Sequence, residues 1–216
     1  MSDATFDVNL FIKESREVLV NPKSYFSTMK TSGGLTEPLI KAVIYGAVAG
    51  AIAFIWSLLN LGIIGGGMFG GAFGIMIFIW KIIGSIIVLF IGAVILLVIS
   101  SVCKGNTDFE ANVRVMAAVM VVLPISAFFG FAGHINFYLG TIINIAISIF
   151  TLWLFFNGLV EALKANTETT RIVIYILIAL TVLVMLLTMG RLRRTSRMLD
   201  EFNKKESQVI MMKDLP

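Results

Sequence analysis

The stretch Lys104–Pro124, KGNTDFEANVRVMAAVMVVLP, decides the fold, because it places a polar loop inside a long and nearly continuous apolar region. One apolar run ends in water at Lys104, and a new one begins after Arg114 and carries Pro124 near its middle. Continuous rather than alternating hydrophobicity favours helices over strands. The stretch therefore predicts that one membrane-spanning helix ends and another begins at the same surface of a bilayer.

The composition supports a membrane protein. Of 216 residues, 58% are hydrophobic and 14% are charged, and the mean hydropathy is +0.94. A soluble domain has about 25% charged residues. Runs of about 20 apolar residues cross a hydrocarbon core of about 30 Å as helices. We therefore expect an all-α, polytopic transmembrane helical bundle.

The apolar runs predict five spans, at about 38–61, 82–102, 113–132, 137–160 and 172–189, so that 38–189 is the transmembrane domain. Residues 1–37 are polar and include an amphipathic helix that suits the membrane surface, without the apolar core of a signal peptide. Residues 190–216 form a basic tail that begins as an amphipathic helix. Pro124 is expected to kink the third span.

The segment Gly62–Trp80 leaves an alternative open. Its glycines recur every four residues, which fits either a flexible loop or a glycine-zipper helix that would be a sixth span. A sixth span needs a turn within Lys81–Gly84, which is short and apolar. We therefore favour five spans, with a separate interfacial piece at Ile75–Lys81.

Two polar or small-residue patterns fall on single helix faces. Small residues recur every four positions in the first span, which lets another helix pack closely, and polar residues follow one face of the fourth span. The packing residues are Ala42, Gly46 and Gly50, and the polar face is Thr141, Asn144, Ser148 and Thr151.

Catalytic and metal chemistry have little support in the sequence. Cys103 is the only cysteine and His134 the only histidine, which excludes an intrachain disulfide and a Cys/His metal site. Ser85 lies four residues after Lys81, but an interfacial lysine is protonated and a poor base. We expect no catalytic residue, no metal and no cofactor.

The basic residues predict how the chain crosses the membrane. With five spans, the internal loops place the N-terminus and the Lys104–Arg114 loop in the cytoplasm. The tail then lies outside, although it opens with a basic cluster suited to an anionic membrane surface. That cluster is Arg191, Arg193, Arg194 and Arg197.

Several motifs resemble the prokaryotic branch of the Yip (Ypt-interacting protein) domain family of five-span membrane proteins. They are NPKSYFSTM, LTEPLIKAV at the start of the first span, and GNTDFEANVRVMAAVMVVLP, and the resemblance covers Asn21–Met189. The family-like residues are Pro38, Gly105, Phe109 and Pro124. The resemblance implies five spans and no enzymatic activity.

The leading hypothesis is a non-enzymatic protein of a cell membrane that organises the bilayer or other membrane proteins by helix packing. The alternative is a small-solute or ion transporter that uses the polar face of the fourth span. A proton- or ion-driven transporter keeps acids or bases within its spans, whereas only Lys81 lies clearly inside an apolar run here. The expected partners are the lipid bilayer and either other membrane proteins or a second copy of the chain, but no nucleic acid.

Overall fold

The computed structural model describes residues 7–59 and 70–188, and the regular structure in these residues is helical. It has five helices long and apolar enough to cross a membrane, which confirms the predicted all-α bundle with five spans. The chain divides into two units, Met1–Leu177 and Ile178–Pro216, and the packing described below lies within the first. The spans are Thr36–Leu58, Gly74–Val102, Phe109–Phe131, Phe137–Ala162 and Thr167–Thr188.

Two short helices precede the first span. Helix α1 is Val8–Val20, and the carboxylate of Asp7 caps it by accepting hydrogen bonds from two backbone N–H groups, at 2.8 and 3.1 Å. A proline disfavours helical geometry in the residue before it, so α1 ends at Asn21. Helix α2, Pro22–Thr28, then starts on that proline, whose missing N–H is not needed in a first turn.

Helix α3, Thr36–Leu58, packs along α4, Gly70–Val102, more extensively than any other two described helices pack together. Helix α4 has 33 residues and a length of about 50 Å, which exceeds the hydrocarbon core, so it has to tilt or extend beyond it. The structure thus replaces the separate interfacial piece expected at Ile75–Lys81 with one helix. The chain is also helical through Lys81–Gly84, where a sixth span would require a turn. Residues 60–69, which belong to the segment Gly62–Trp80 and the end of the first expected span, lie outside the described part.

The third span is interrupted near its middle. It consists of α5, Phe109–Val119, and α6, Val122–Phe128, followed by a 3-10 turn at Phe129–Phe131. Pro124 has no N–H to donate to the carbonyl of Met120, and that carbonyl instead accepts from Leu123 at 2.9 Å. The kink expected at Pro124 therefore takes the form of a break one turn earlier.

The chain returns through α7, Ala132–Ile135, and α8, Phe137–Asn157, which continues as a π turn over Gly158–Ala162. The last span, α9, is Thr167–Thr188. It starts before the expected residue 172, because the Asn166 side chain accepts a hydrogen bond from the Thr169 N–H at 3.0 Å and so caps a helix there.

The loops that precede α5 and α9 are tied to each other by reciprocal backbone hydrogen bonds. The Asn106 N–H donates to the Leu163 carbonyl at 2.7 Å, and the Asn166 N–H donates to the Cys103 carbonyl at 2.8 Å. These bonds satisfy backbone groups at a membrane surface, where an unpaired group is costly. The starts of the third and fifth spans are thereby fixed to one another.

The two loops also share a sequence. Residues 104–108 read KGNTD and residues 164–168 read KANTE. In this repeat the two donors, Asn106 and Asn166, are equivalent, and so are the two acceptors, Cys103 and Leu163. Lys104 and Lys164 both adopt left-handed backbone geometry, with φ of 57° and 54°. We refer to this approximately two-fold arrangement of residues 103–108 and 163–168 as the loop clamp.

Replacing Gly105 by alanine is expected to destabilise the protein, because a Cβ there would lie 2.6 Å from the Ser100 hydroxyl oxygen and 2.9 Å from the Ala165 Cβ. The cost expected for such overpacking is about 1–3 kcal/mol. Adding Ala165→Gly should restore part of the stability, because it removes one of the two clashes. Thermal unfolding in detergent measures both effects.

Gly84→Ala is the matched control, since a Cβ at Gly84 meets no atom within 4 Å. It should leave the unfolding temperature equal or higher, as alanine favours helix. Equal stability of Gly105→Ala and the native chain would show that the loops are not in close contact.

Candidate functional site

A cavity of about 320 Å³ opens between α1, α2, the connector before α3, and the first turns of α3 and α5. Lys41 and Arg114 are its most buried charged residues, with exposed fractions of 8% and 7%. Each is five residues beyond the first residue of its helix, Thr36 or Phe109, and so about 7.5 Å along a span. Both residues therefore lie within the first two turns of helices that are long and apolar enough to cross a membrane.

The guanidinium of Arg114 joins three parts of the chain. Its Nε donates to Glu110 Oε1 at 3.1 Å, its Nη1 to Glu37 Oε2 at 3.0 Å, and its Nη2 to the Gly34 carbonyl at 2.9 Å. The Gly34 N–H donates to the same Glu110 oxygen at 2.6 Å. The connector between α2 and α3, residues 29–35, is therefore bound to α5 through the N–H and the carbonyl of Gly34. Arg114 contacts the connector, α3 and its own helix.

Lys41 makes the second half of the ionic cluster. Its Nζ lies 2.7 Å from Glu14 Oε2 on α1 and 2.8 Å from Glu37 Oε1, one turn earlier on its own helix. Glu37 therefore binds Lys41 with one oxygen and Arg114 with the other. We call Glu14, Glu37, Lys41, Glu110 and Arg114 the ionic cluster. Its three carboxylates pair with both cations, which offsets the cost of burying Lys41 and Arg114.

Two tyrosines flank the ionic cluster. The Ser15 hydroxyl donates to the Phe11 carbonyl at 2.7 Å, so the Tyr45 hydroxyl donates to Ser15, also at 2.7 Å. Burial raises the pKa of Tyr25 to about 12, although the positive charge of Lys41 acts in the opposite direction. Tyr25 is therefore a neutral hydroxyl at physiological pH, available to the cavity as both donor and acceptor.

The expected packing residues Ala42, Gly46 and Gly50 are buried on α3. A Cβ on Gly46 would overlap the hydroxyl of Ser85 and lie 3.1 Å from the Lys81 carbonyl, while one on Gly50 would lie 3.0 Å from the Phe78 ring. Both glycines thus face α4 at a distance that leaves no room for a side chain.

Gly46→Leu and Gly50→Leu are expected to push α3 away from α4 and to lower the unfolding temperature in detergent. The matched control is Gly84→Leu on the facing helix, where a side chain meets open space. The control should unfold near the native temperature. If all three variants unfold together, the α3–α4 contact does not depend on the small residues.

Three of the four expected polar-face residues of the fourth span donate hydrogen bonds to backbone carbonyls of α8. Thr141 donates to the Phe137 carbonyl at 2.9 Å, Asn144 to the Gly140 carbonyl at 2.9 Å, and Thr151 to the Ile147 carbonyl at 2.8 Å. Ser148 lies on the same helix and is half-buried. These hydrogen bonds do not join α8 to another described helix, so a common polar pathway is not assembled by them.

The family-like residues have separate structural positions. Pro38 is buried in the cavity wall, Gly105 lies in the loop clamp, and Pro124 follows the break in the third span. The Phe109 ring stacks on Phe90 of α4, with centroids 6.5 Å apart and planes 10° apart. The expected basic cluster of the tail lies outside the described residues, at Arg191, Arg193, Arg194 and Arg197.

The Ser85–Lys81 pair and possible metal-binding groups can be followed in residues 7–59 and 70–188. The hydroxyl of Ser85 donates to the Ile82 carbonyl at 2.7 Å and packs against Gly46, so it is not directed at a base. No group of three or more His, Cys, Asp or Glu residues that could hold a metal ion occurs in this part of the chain.

Sequence reasoning missed the ionic cluster, because it treated these residues only as charges at the edges of spans. A signal was available in two pairs at i, i+4 spacing, Glu37–Lys41 and Glu110–Arg114, each near the start of a span. The loop clamp had a signal as well, in the repeat of KGNTD as KANTE.

Comparison with known protein families matches residues 16–189 to the Yip1 domain. The matched range includes the ionic cluster except for Glu14, and all of the loop clamp. Comparisons with curated proteins and with solved structures find no match.

Proposed function

Because the chain belongs to the Yip1 domain family, we propose that it is a non-enzymatic protein of a cell membrane that organises the bilayer or neighbouring membrane proteins by helix packing. The observation that carries this proposal is a continuous isoleucine stripe on α4. It is formed by side chains four residues apart that are between 44% and 56% exposed: Ile83, Ile87, Ile91 and Ile95. Such a β-branched surface fits either acyl chains or the side chains of another helix.

The position of the charges supports the same role. The charged residues of the described spans, apart from Lys81, lie close to one end, which is the end of the ionic cluster and the loop clamp. A transporter driven by ions or protons keeps such groups deeper in the membrane along its substrate path. The hydrogen bonds of Asn144 and its neighbours to their own helix also give the transporter alternative no specific support.

Energy transfer between labelled copies in vesicles tests the helix-packing role. In a Cys103→Ser background, a cysteine at the exposed residue Thr107 carries the donor or acceptor dye. Transfer should exceed that of randomly placed copies, and Ile91→Ala with Ile95→Ala should reduce it without lowering the unfolding temperature. The matched control is Ile172→Ala with Ile176→Ala, on equally exposed positions of α9.

The same vesicles distinguish the transporter alternative. We expect no saturable solute flux. Random energy transfer together with saturable flux that Asn144→Leu abolishes would replace the organising role with transport.

We further propose that the N-terminus, the ionic cluster and the loop clamp face the cytoplasm, as the basic residues of the internal loops suggest. In the Cys103→Ser background, a single cysteine at Thr107 should be protected from an impermeant maleimide in intact cells, whereas one at Ser207 should react. The reverse labelling pattern would invert the topology, and equal protection at both positions would require an even number of crossings.

A further inference from the structure

The cavity beside the ionic cluster has charges at its edge that the cluster does not use. Lys13 and Glu17 on α1, and Lys30 in the connector, line it, are exposed, and form no ion pair within the described part of the chain. The two cations of the cluster, Lys41 and Arg114, are already paired with its three carboxylates. The cavity edge therefore offers two cations and one anion to a ligand, above a polar surface that is internally satisfied.

Tyr25 adds a polar group inside the cavity. The residue is only 7% exposed and lines the cavity together with the charged residues. Burial keeps its hydroxyl neutral, so it can donate to an anionic oxygen. A neutral donor beside cations suits a phosphodiester, which accepts hydrogen bonds through its free oxygens.

The cavity also has apolar walls. Leu10, Met29, Pro38 and Ala117 lie in its lining, together with the charged residues. Its most buried charged residues lie about 7.5 Å from the starts of helices that are long and apolar enough to cross a membrane. A ligand that fits all of these features is amphiphilic and enters from the membrane surface.

We propose that this cavity binds the amine-bearing phosphodiester headgroup of a zwitterionic phospholipid. Lys13, Lys30 and Tyr25 take the phosphate, and Glu17 takes the primary ammonium. A carboxylate can accept hydrogen bonds from a primary ammonium, whereas a quaternary ammonium has no N–H to donate and is recognised by aromatic faces. The headgroup chemistry is shared with soluble phosphoethanolamine esters, but the apolar lining favours the membrane lipid. This binding is independent of whether copies of the chain assemble.

Native mass spectrometry of the full-length, delipidated protein in detergent, with added lipid, tests the proposal. Phosphatidylethanolamine should be retained at lower concentration than phosphatidylcholine or phosphatidylglycerol of the same acyl chains. Lys13→Met with Lys30→Met should weaken its apparent affinity by about tenfold or more, as expected for the loss of charge-assisted hydrogen bonds. Glu17→Gln should remove the preference for phosphatidylethanolamine over phosphatidylglycerol.

Arg16→Met is the matched control, because Arg16 is an exposed cation on the same helix that does not line the cavity. It should bind as the native chain does. The tested side chains are exposed and outside the ionic cluster, so the variants should unfold at the native temperature, which is checked in parallel.

Three results would overturn the proposal. They are equal retention of the three lipids, a loss of affinity in Arg16→Met as large as in the double variant, and unchanged selectivity in Glu17→Gln. Glycerophosphoethanolamine that binds as tightly as the intact lipid would reject the lipid as the ligand in favour of a soluble phosphoamine.

Discussion

One carboxylate shared by two buried cations is the interaction on which the arrangement of the first unit depends. Glu37 binds Lys41 and Arg114, which are 8% and 7% exposed and lie about 7.5 Å from the starts of their spans. Leaving either cation unpaired there would cost several kcal/mol. Lys41 also pairs with Glu14 of α1, and Arg114 also donates to the Gly34 carbonyl of the connector, so the same two cations hold both of these segments against α3 and α5.

The spans could be predicted from the sequence because the bilayer imposes a simple rule, in which a helix of sufficient length and hydrophobicity satisfies its own backbone. The ends of the helices were harder to predict where no residue in the sequence terminates a helix. Helix α4 continues through Lys81, because an exposed lysine on a helix can extend its ammonium toward the surface without breaking the backbone. A break near Pro124 could be predicted, because proline lacks the N–H of a helical hydrogen bond. Its position at Met120 could not, because it depends on the hydrogen bond from the Leu123 N–H to the Met120 carbonyl.

The site could be predicted only in part, because its contacts join residues far apart in the chain. The pair Glu110–Arg114 is local and visible as an i, i+4 spacing, whereas the bond from Arg114 to Glu37 joins residues 77 positions apart. The repeat of KGNTD as KANTE was visible too, yet its meaning requires the knowledge that the two loops meet. Sequence patterns thus supplied candidate charges and loops, and tertiary structure determined which of them act together.

The two ends of the bundle are held together by different kinds of contact. At the end of the ionic cluster and the loop clamp, α5 is fixed by ion pairs on one side and by backbone hydrogen bonds at its start, and every residue of Ala111–Val122 is buried. At the opposite end, the described residues use aromatic packing: Trp56 contacts Phe131 with ring centroids 5.1 Å apart and donates to the Ala127 carbonyl at 3.1 Å. Directional contacts at the first end fix helix positions closely, while aromatic packing tolerates small displacements more readily. The break at Met120, one turn before Pro124, separates these two kinds of contact within a single span, because the missing proline N–H interrupts the helix between them.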